Sequence, residues 1–172
     1  MNTKMNRIFS ILLFVALTAN AYAQQQASPA KTAEGKIGEA NVSITYSSPS
    51  VKGRTIWGEL VPYDKIWRAG ANAATVFETD KDLKVEGKTL PAGKYSIFAI
   101  PSSVSWTIIF NSETGQWGIK RGGDANLDRS KDVLTVSVKP VANKMTESLT
   151  YEINKDGIAL LWEKLKVPVK MQ

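Results

Sequence analysis

The residues best suited to chemistry crowd into one stretch, Lys52 to Thr75, KGRTIWGELVPYDKIWRAGANAAT, which has neither a helical nor a strand period. Trp57, Tyr63 and Trp67 offer flat faces with a polar edge, the kind that stack on sugar rings or other flat ligands. Arg54 and Arg68 add fork-shaped donors matched to carboxylate or phosphate, and Asn72 adds an amide that both donates and accepts. Gly53, Gly58 and Gly70 permit backbone geometries that let the segment fold back on itself. Together they predict a polar-aromatic pocket. The same residues also have a structural use: Trp57, Ile66 and Trp67 would plug one end of the fold, while Arg68 and Asn72 tie down loop carbonyls that need partners.

Other chemistry is poorly supplied. The chain has no His and no Cys, which removes the usual general base near neutral pH, the usual zinc ligand, thiolate nucleophiles and disulfides. Asp124-x-Asn126-x-Asp128 copies the first half of a calcium loop. Arg129 then stands where that loop needs Gly, and Thr135 where it needs a bidentate Glu, so no metal is expected there. Paired carboxylates are the hydrolytic route that needs no His. Glu59, Asp64, Glu78, Glu113, Asp124 and Asp128 are available, but no spacing selects a pair. Ser47, Ser48 and Lys52 form no Ser-Lys motif. Trp117, at the tip of Gly115-Gln116-Trp117-Gly118, is suited either to lip a pocket or to cap a hydrophobic edge. No cofactor motif is present, and none is expected.

The elements that must position these residues read as strands. Val42, Ile44 and Tyr46 alternate with polar neighbours over Asn41 to Ser47, the period of a half-buried strand, and Pro49 ends it. Further runs cover Ala74–Thr79, Leu83–Val85, Thr89-Leu90, Lys94–Ile100, Trp106–Phe110, Val133–Val138, Leu149–Ile153, Ile158–Trp162 and Leu165–Val169. Pro91-Ala92-Gly93 and Asn154-Lys155-Asp156-Gly157 supply turns between them. About nine short strands without a convincing helix predict an all-β single domain, a sandwich or jelly roll. The Lys164, Lys166 and Lys170 row beside Leu165, Val167 and Val169 is expected to be a solvated edge strand.

At the start of the chain, Lys4 and Arg7 precede the apolar run Ile8–Ala19 and Ala21-Tyr22-Ala23, the pattern of a secretory signal peptide cleaved after Ala23. Residues 1–23 are therefore expected to leave, residues 24–38 to form a flexible leader, and residues 39–172 to form the domain. No second run of membrane-spanning length follows, so the mature protein is expected in the periplasm or the medium. Without Lys4 and Arg7, twenty Lys and Arg face sixteen Asp and Glu, a net charge of +4. That charge is too mild and scattered to predict a nucleic-acid partner.

Three blocks, Pro49-Ser50-Val51-Lys52-Gly53-Arg54, Gly58-x-Leu60-Val61-Pro62-Tyr63 and Trp67-Arg68-x-Gly70-Ala71-Asn72-x-Ala74-Thr75, closely resemble a bacterial family catalogued as domain of unknown function 2911. Pro91 to Pro101, Trp106 to Asn111, Trp117-Gly118 and Leu161-Trp162-Glu163 extend the resemblance over nearly the whole domain. It implies an exported, mostly β protein without an assigned activity, and carries Arg68 and Asn72 over as positions of a possible site. Where that family often has Glu after its Gly-Ala-Asn, this chain has Ala73, which argues against a catalytic carboxylate there. The reading is a non-catalytic binding or interaction module for a glycan or small polar ligand. Its alternatives are a hydrolase using carboxylates alone and a purely structural envelope protein.

Overall fold

A computed structural model describes residues 27–172, so the expected signal peptide lies outside the described residues. The described chain is all β: β1 (Ala30–Ile37), β2 (Ala40–Ser47), β3 (Thr75–Thr79), β4 (Leu83–Val85), β5 (Lys88–Leu90), β6 (Gly93–Ile100), β7 (Trp106–Asn111), β8 (Asp132–Val138), β9 (Val141–Asn154) and β10 (Gly157–Lys170). One short 3-10 turn, Arg129–Lys131, precedes β8. Six strands form an antiparallel sheet in the order β1-β2-β3-β6-β7-β8, and the long β9–β10 hairpin forms a second layer. The pair β4–β5 is a small hairpin of its own.

Alternation decides which faces are buried. Val42, Ile44 and Tyr46 of β2 and Leu134, Val136 and Val138 of β8 point into one core with Leu149 and Tyr151 of β9 and Ile158, Leu160 and Trp162 of β10. Tyr46 and Tyr151 meet edge to face across the layers, with ring centroids 4.9 Å apart. In β6 the alternation vanishes, because Tyr95 through Ala99 are all buried. The cause is a second, smaller cluster on the outer face, where Ala74, Phe98 and Ile109 are covered by Ile66, Ala125 and Leu127 from the loops. A strand buried on both faces reads as a continuous apolar run.

Part of the expected flexible leader is instead strand β1, paired along its length with β2 from Ala30↔Ser47 to Ile37↔Ala40. Only Ile37 of that strand is buried. Its order comes from the backbone ladder and from its place as an edge strand, neither of which an apolar period reveals. The two expected runs Ile158–Trp162 and Leu165–Val169 are one strand, β10, whose register against β9 shifts on either side of Glu163. Glu163 there takes a left-handed φ of 54°, a conformation found in one class of β-bulge.

The stretch Lys52–Thr75 is irregular because it changes layers. After β2 the chain leaves the six-stranded sheet and runs beside β9: Val51 N–H donates to Glu147 O, Leu149 N–H to Pro49 O, and Ser50 bridges Ser148. It then folds tightly, with Gly58 N–H donating to Val61 O and Val61 N–H to Ile56 O. It rejoins the first sheet at Trp67, which exchanges backbone hydrogen bonds of 2.7 and 2.8 Å with Ala99. Since β3 pairs with β6 only as far as Thr75↔Ile97, Trp67 occupies the place beside Ala99 that β3 leaves open. Strands that switch sheets need such corners, and they need unusual backbone to turn them.

Candidate functional site

That backbone is strained at named places. Lys52, Asp64, Ala69 and Asn72 all have φ between 48° and 59° without being glycine, a conformation that costs each of them about 1 kcal/mol or more. Gly53 and Gly58 use positive φ as expected. Gly70 does not. Its requirement is space: a Cβ there would sit 2.9 Å from Thr75 Oγ1 and 3.2 Å from Ser47 O.

Ala69 is held in its strained state by its carbonyl, which accepts from Thr75 Oγ1 and Tyr151 Oη, each at 2.9 Å. Burial pushes the Tyr151 hydroxyl well above the ordinary tyrosine range. The folded state therefore keeps that proton, while the unfolded chain releases it near pH ~10. Stability from this group is intact below about pH 10 and falls as pH rises beyond it, by up to about 1.4 kcal/mol per pH unit. Tyr151→Phe should cost about 1–2 kcal/mol at neutral pH and flatten that alkaline slope. Denaturant midpoints of both proteins from pH 8 to 11 read the difference.

Four tryptophans meet behind the crossing. Trp57 lies 5.9 Å from Trp67, 4.9 Å from Trp106 and 5.7 Å from Trp162, all edge to face. Trp67 and Trp162 stack at 6.0 Å with only 17° between their planes. Trp106 and Trp162 are fully buried, whereas Trp57 and Trp67 are half-buried. Trp67 Nε1 donates to Gly70 O. The indole N–H groups of Trp57, Trp106 and Trp162 are buried without an acceptor among the described residues.

A cleft of about 370 Å³ opens beside this nest, with Trp67, Arg68 and Trp162 against Lys52, Arg54, Ala27 and Ser28. Arg68 is half-buried, and its Nε has no acceptor among the described residues. Desolvation lowers its pKa from the ordinary arginine value, though a guanidinium remains charged. The Trp117-Gly118 loop lies directly on the Arg68 stem: a Cβ on Gly118 would fall 2.4 Å from both Arg68 Cβ and Cδ. Arg54 is pinned at the rim, with Nε donating to Val51 O at 3.0 Å and a terminal nitrogen to Ser50 O.

Of the residues expected from sequence, Arg54, Trp67 and Arg68 come together in this cleft, and Trp57 packs in the nest next to it. Asn72 does not line it. Its Nδ2 donates to Ser28 O and Ser47 Oγ, both at 3.3 Å, so it braces the segment that forms the opposite wall. Tyr63, 39% exposed, rests on Gly58, and Trp117, 57% exposed, stands clear; neither is among the lining residues. Lys52 and Trp162 also line the cleft without being among the candidates from sequence; Lys52 belongs to the Lys52–Thr75 segment and Trp162 to the Leu161-Trp162-Glu163 motif.

The calcium-like loop has other work. Asp128 accepts from Ser130 N and Ser130 Oγ and so caps the 3-10 turn, and those hydrogen bonds hold its carboxyl below the usual range. Among the described residues no three Asp or Glu gather as a metal site. A wider groove of about 720 Å³ lies at the far end of the β9–β10 hairpin. Its cations Lys84, Lys155, Lys166 and Lys170 face the acids Glu86 and Asp156, and no aromatic residue lines it.

Fold and cleft define a two-layer antiparallel β protein with an aromatic, cationic recess at the place where the chain passes between sheets. Residues 28–171 match the family described as Protein of unknown function (DUF2911), and the chain belongs to it. No curated protein and no solved structure matches the chain.

Proposed function

We propose that this chain is an exported, non-catalytic binding module and that the cleft between Trp67, Arg68 and Trp162 takes a small polar ligand, a glycan being one class that suits its flat indole wall. The supporting observation is the convergence of a half-buried Trp67 and of Arg68, whose Nε has no acceptor among the described residues, on one recess. Hydrolysis by carboxylates would need two of them facing each other across the substrate, and none of the described residues lining the cleft is acidic. The role is recognition: the indole supplies a stacking face and the guanidinium fixes orientation.

A thermal-shift screen of glycans and nucleotides tests the reading. A ligand at one hundred times its Kd should add about 2.7 kcal/mol to stability and raise the midpoint. Arg68→Ala and Trp67→Ala, provided each still melts cooperatively, should lose that shift. A ligand whose shift survives in both variants would place binding elsewhere, and an unresponsive midpoint across the screen would remove the binding reading.

A further inference from the structure

We infer that the cleft selects a small anion: a ligand that presents carboxylate or phosphate oxygens to Arg68 beside an apolar face that lies on Trp67. This rests on the binding reading above and adds the charge of what is bound.

The lining charge is of one sign. Lys52, Arg54 and Arg68 all border the recess, and among the described residues no Asp or Glu does. Among the described residues Lys94, Arg129, Lys131 and Lys166 form ion pairs with Glu78, Asp132, Glu113 and Glu152, and the three cleft cations, like most of the other described Lys and Arg, do not. One carboxylate reaches this wall, Glu147, and it is used by the Lys52 backbone N–H at 2.9 Å. It is not among the lining residues.

The unmet hydrogen-bonding capacity at the cleft also has one sign. Arg68 Nε and Trp162 Nε1 are buried donors without acceptors among the described residues, and both residues line the recess. A partly desolvated guanidinium without a counter-charge is unfavourable on its own. The fold nevertheless holds it in place, with Gly118 lying against its stem. A ligand oxygen bearing negative charge would supply the counter-charge that the Arg68 guanidinium lacks, and charge-assisted hydrogen bonds are the stronger kind. The rim is arranged beforehand: Arg54 is fixed by the Ser50 and Val51 carbonyls, so little side-chain freedom is lost when an anion arrives.

Calorimetric titration of the purified chain with glucuronate, glucose 1-phosphate, glucose and glucosamine tests this. At least one of the two anions should bind about tenfold or more tightly than glucose, glucosamine should bind no better than glucose, and raising NaCl should weaken anion binding far more than glucose binding. The carboxylate and phosphate arms separate the two sources of negative charge. Arg68→Gln should bring the anions down to the level of glucose, and Lys52→Gln, an exposed position, should weaken them less; if Arg68→Gln does not fold, the Lys52 variant and the salt dependence carry the test. Glucose binding as tightly as both anions would overturn the charge inference and leave the binding reading in place. Failure of all four probes to bind would overturn the charge inference, and the binding reading falls with it only if the thermal-shift screen is unresponsive as well.

Discussion

Trp162→Ala is expected to remove about 3–5 kcal/mol of stability, the range for deleting a buried tryptophan. Trp162 is 1% exposed and touches both Trp57 and Trp67, so its loss opens a cavity between two rings that are themselves only half-buried. A domain of this kind is stable by about 5–15 kcal/mol, which leaves the variant near its threshold. A denaturant titration should show an earlier midpoint, and binding should fall even where folding survives, because Trp67 loses the ring it stacks on. Trp162→Phe should recover much of the stability. A variant within about 1 kcal/mol of wild type would show that the tryptophan nest is loosely packed and contributes little.

Gly157→Ala should be nearly as damaging, by about 2–4 kcal/mol, for a different reason. A Cβ at Gly157 would stand 2.1 Å from Val169 O and 2.7 Å from Met171 N, and the residue has φ of 130°. Backbone atoms cannot swing aside as a side chain can, so the far end of the β9–β10 hairpin must open and strain the hydrogen bond from Met171 N–H to Asp156 O. Gly122→Ala separates the two costs. Its φ of 107° is also unfavourable, but nothing lies within 4 Å of the added carbon, so it should lose only about 1–2 kcal/mol. Equal midpoints for the two variants would mean that the close approach at Gly157 is unimportant.

Strands with one wet face and one dry face were legible from residues alone. β2 and β8 match their apolar alternation almost residue for residue, and the Pro91-Ala92-Gly93 turn leads into β6 as its composition requires. Strands that bury little were not legible. In β1 only Ile37 is buried, and the Val141–Ser148 half of β9 has no buried residue; both are ordered by ladder hydrogen bonds, to which side-chain pattern is blind. At Gly157 the positive φ could be foreseen, but the contact with Val169 could not, because it joins residues that only the fold brings together.

The site was legible as a composition and not as a geometry. Arg54, Trp67 and Arg68 do meet, and the expected structural use is also present, in Trp57 within the nest and Asn72 bracing Ser28. Tyr63 and Trp117 are exposed and do not line the cleft. Trp162 enters from a strand a hundred residues further on, and its role depends on how the two layers face each other.

The crossing at Ser48–Val51 is secured by partners made much later in the chain: Ser48 Oγ donates to Leu149 O across 101 positions, Ser50 meets Ser148 across 98, and Tyr151 reaches Ala69 across 82. Closing loops of that length costs entropy before any contact repays it, and proteins dominated by such pairings fold in about milliseconds to seconds. The recess can take shape only after its distant halves have docked, so ligand binding would report on the last stage of folding, and a chain interrupted before β9 would have no recess.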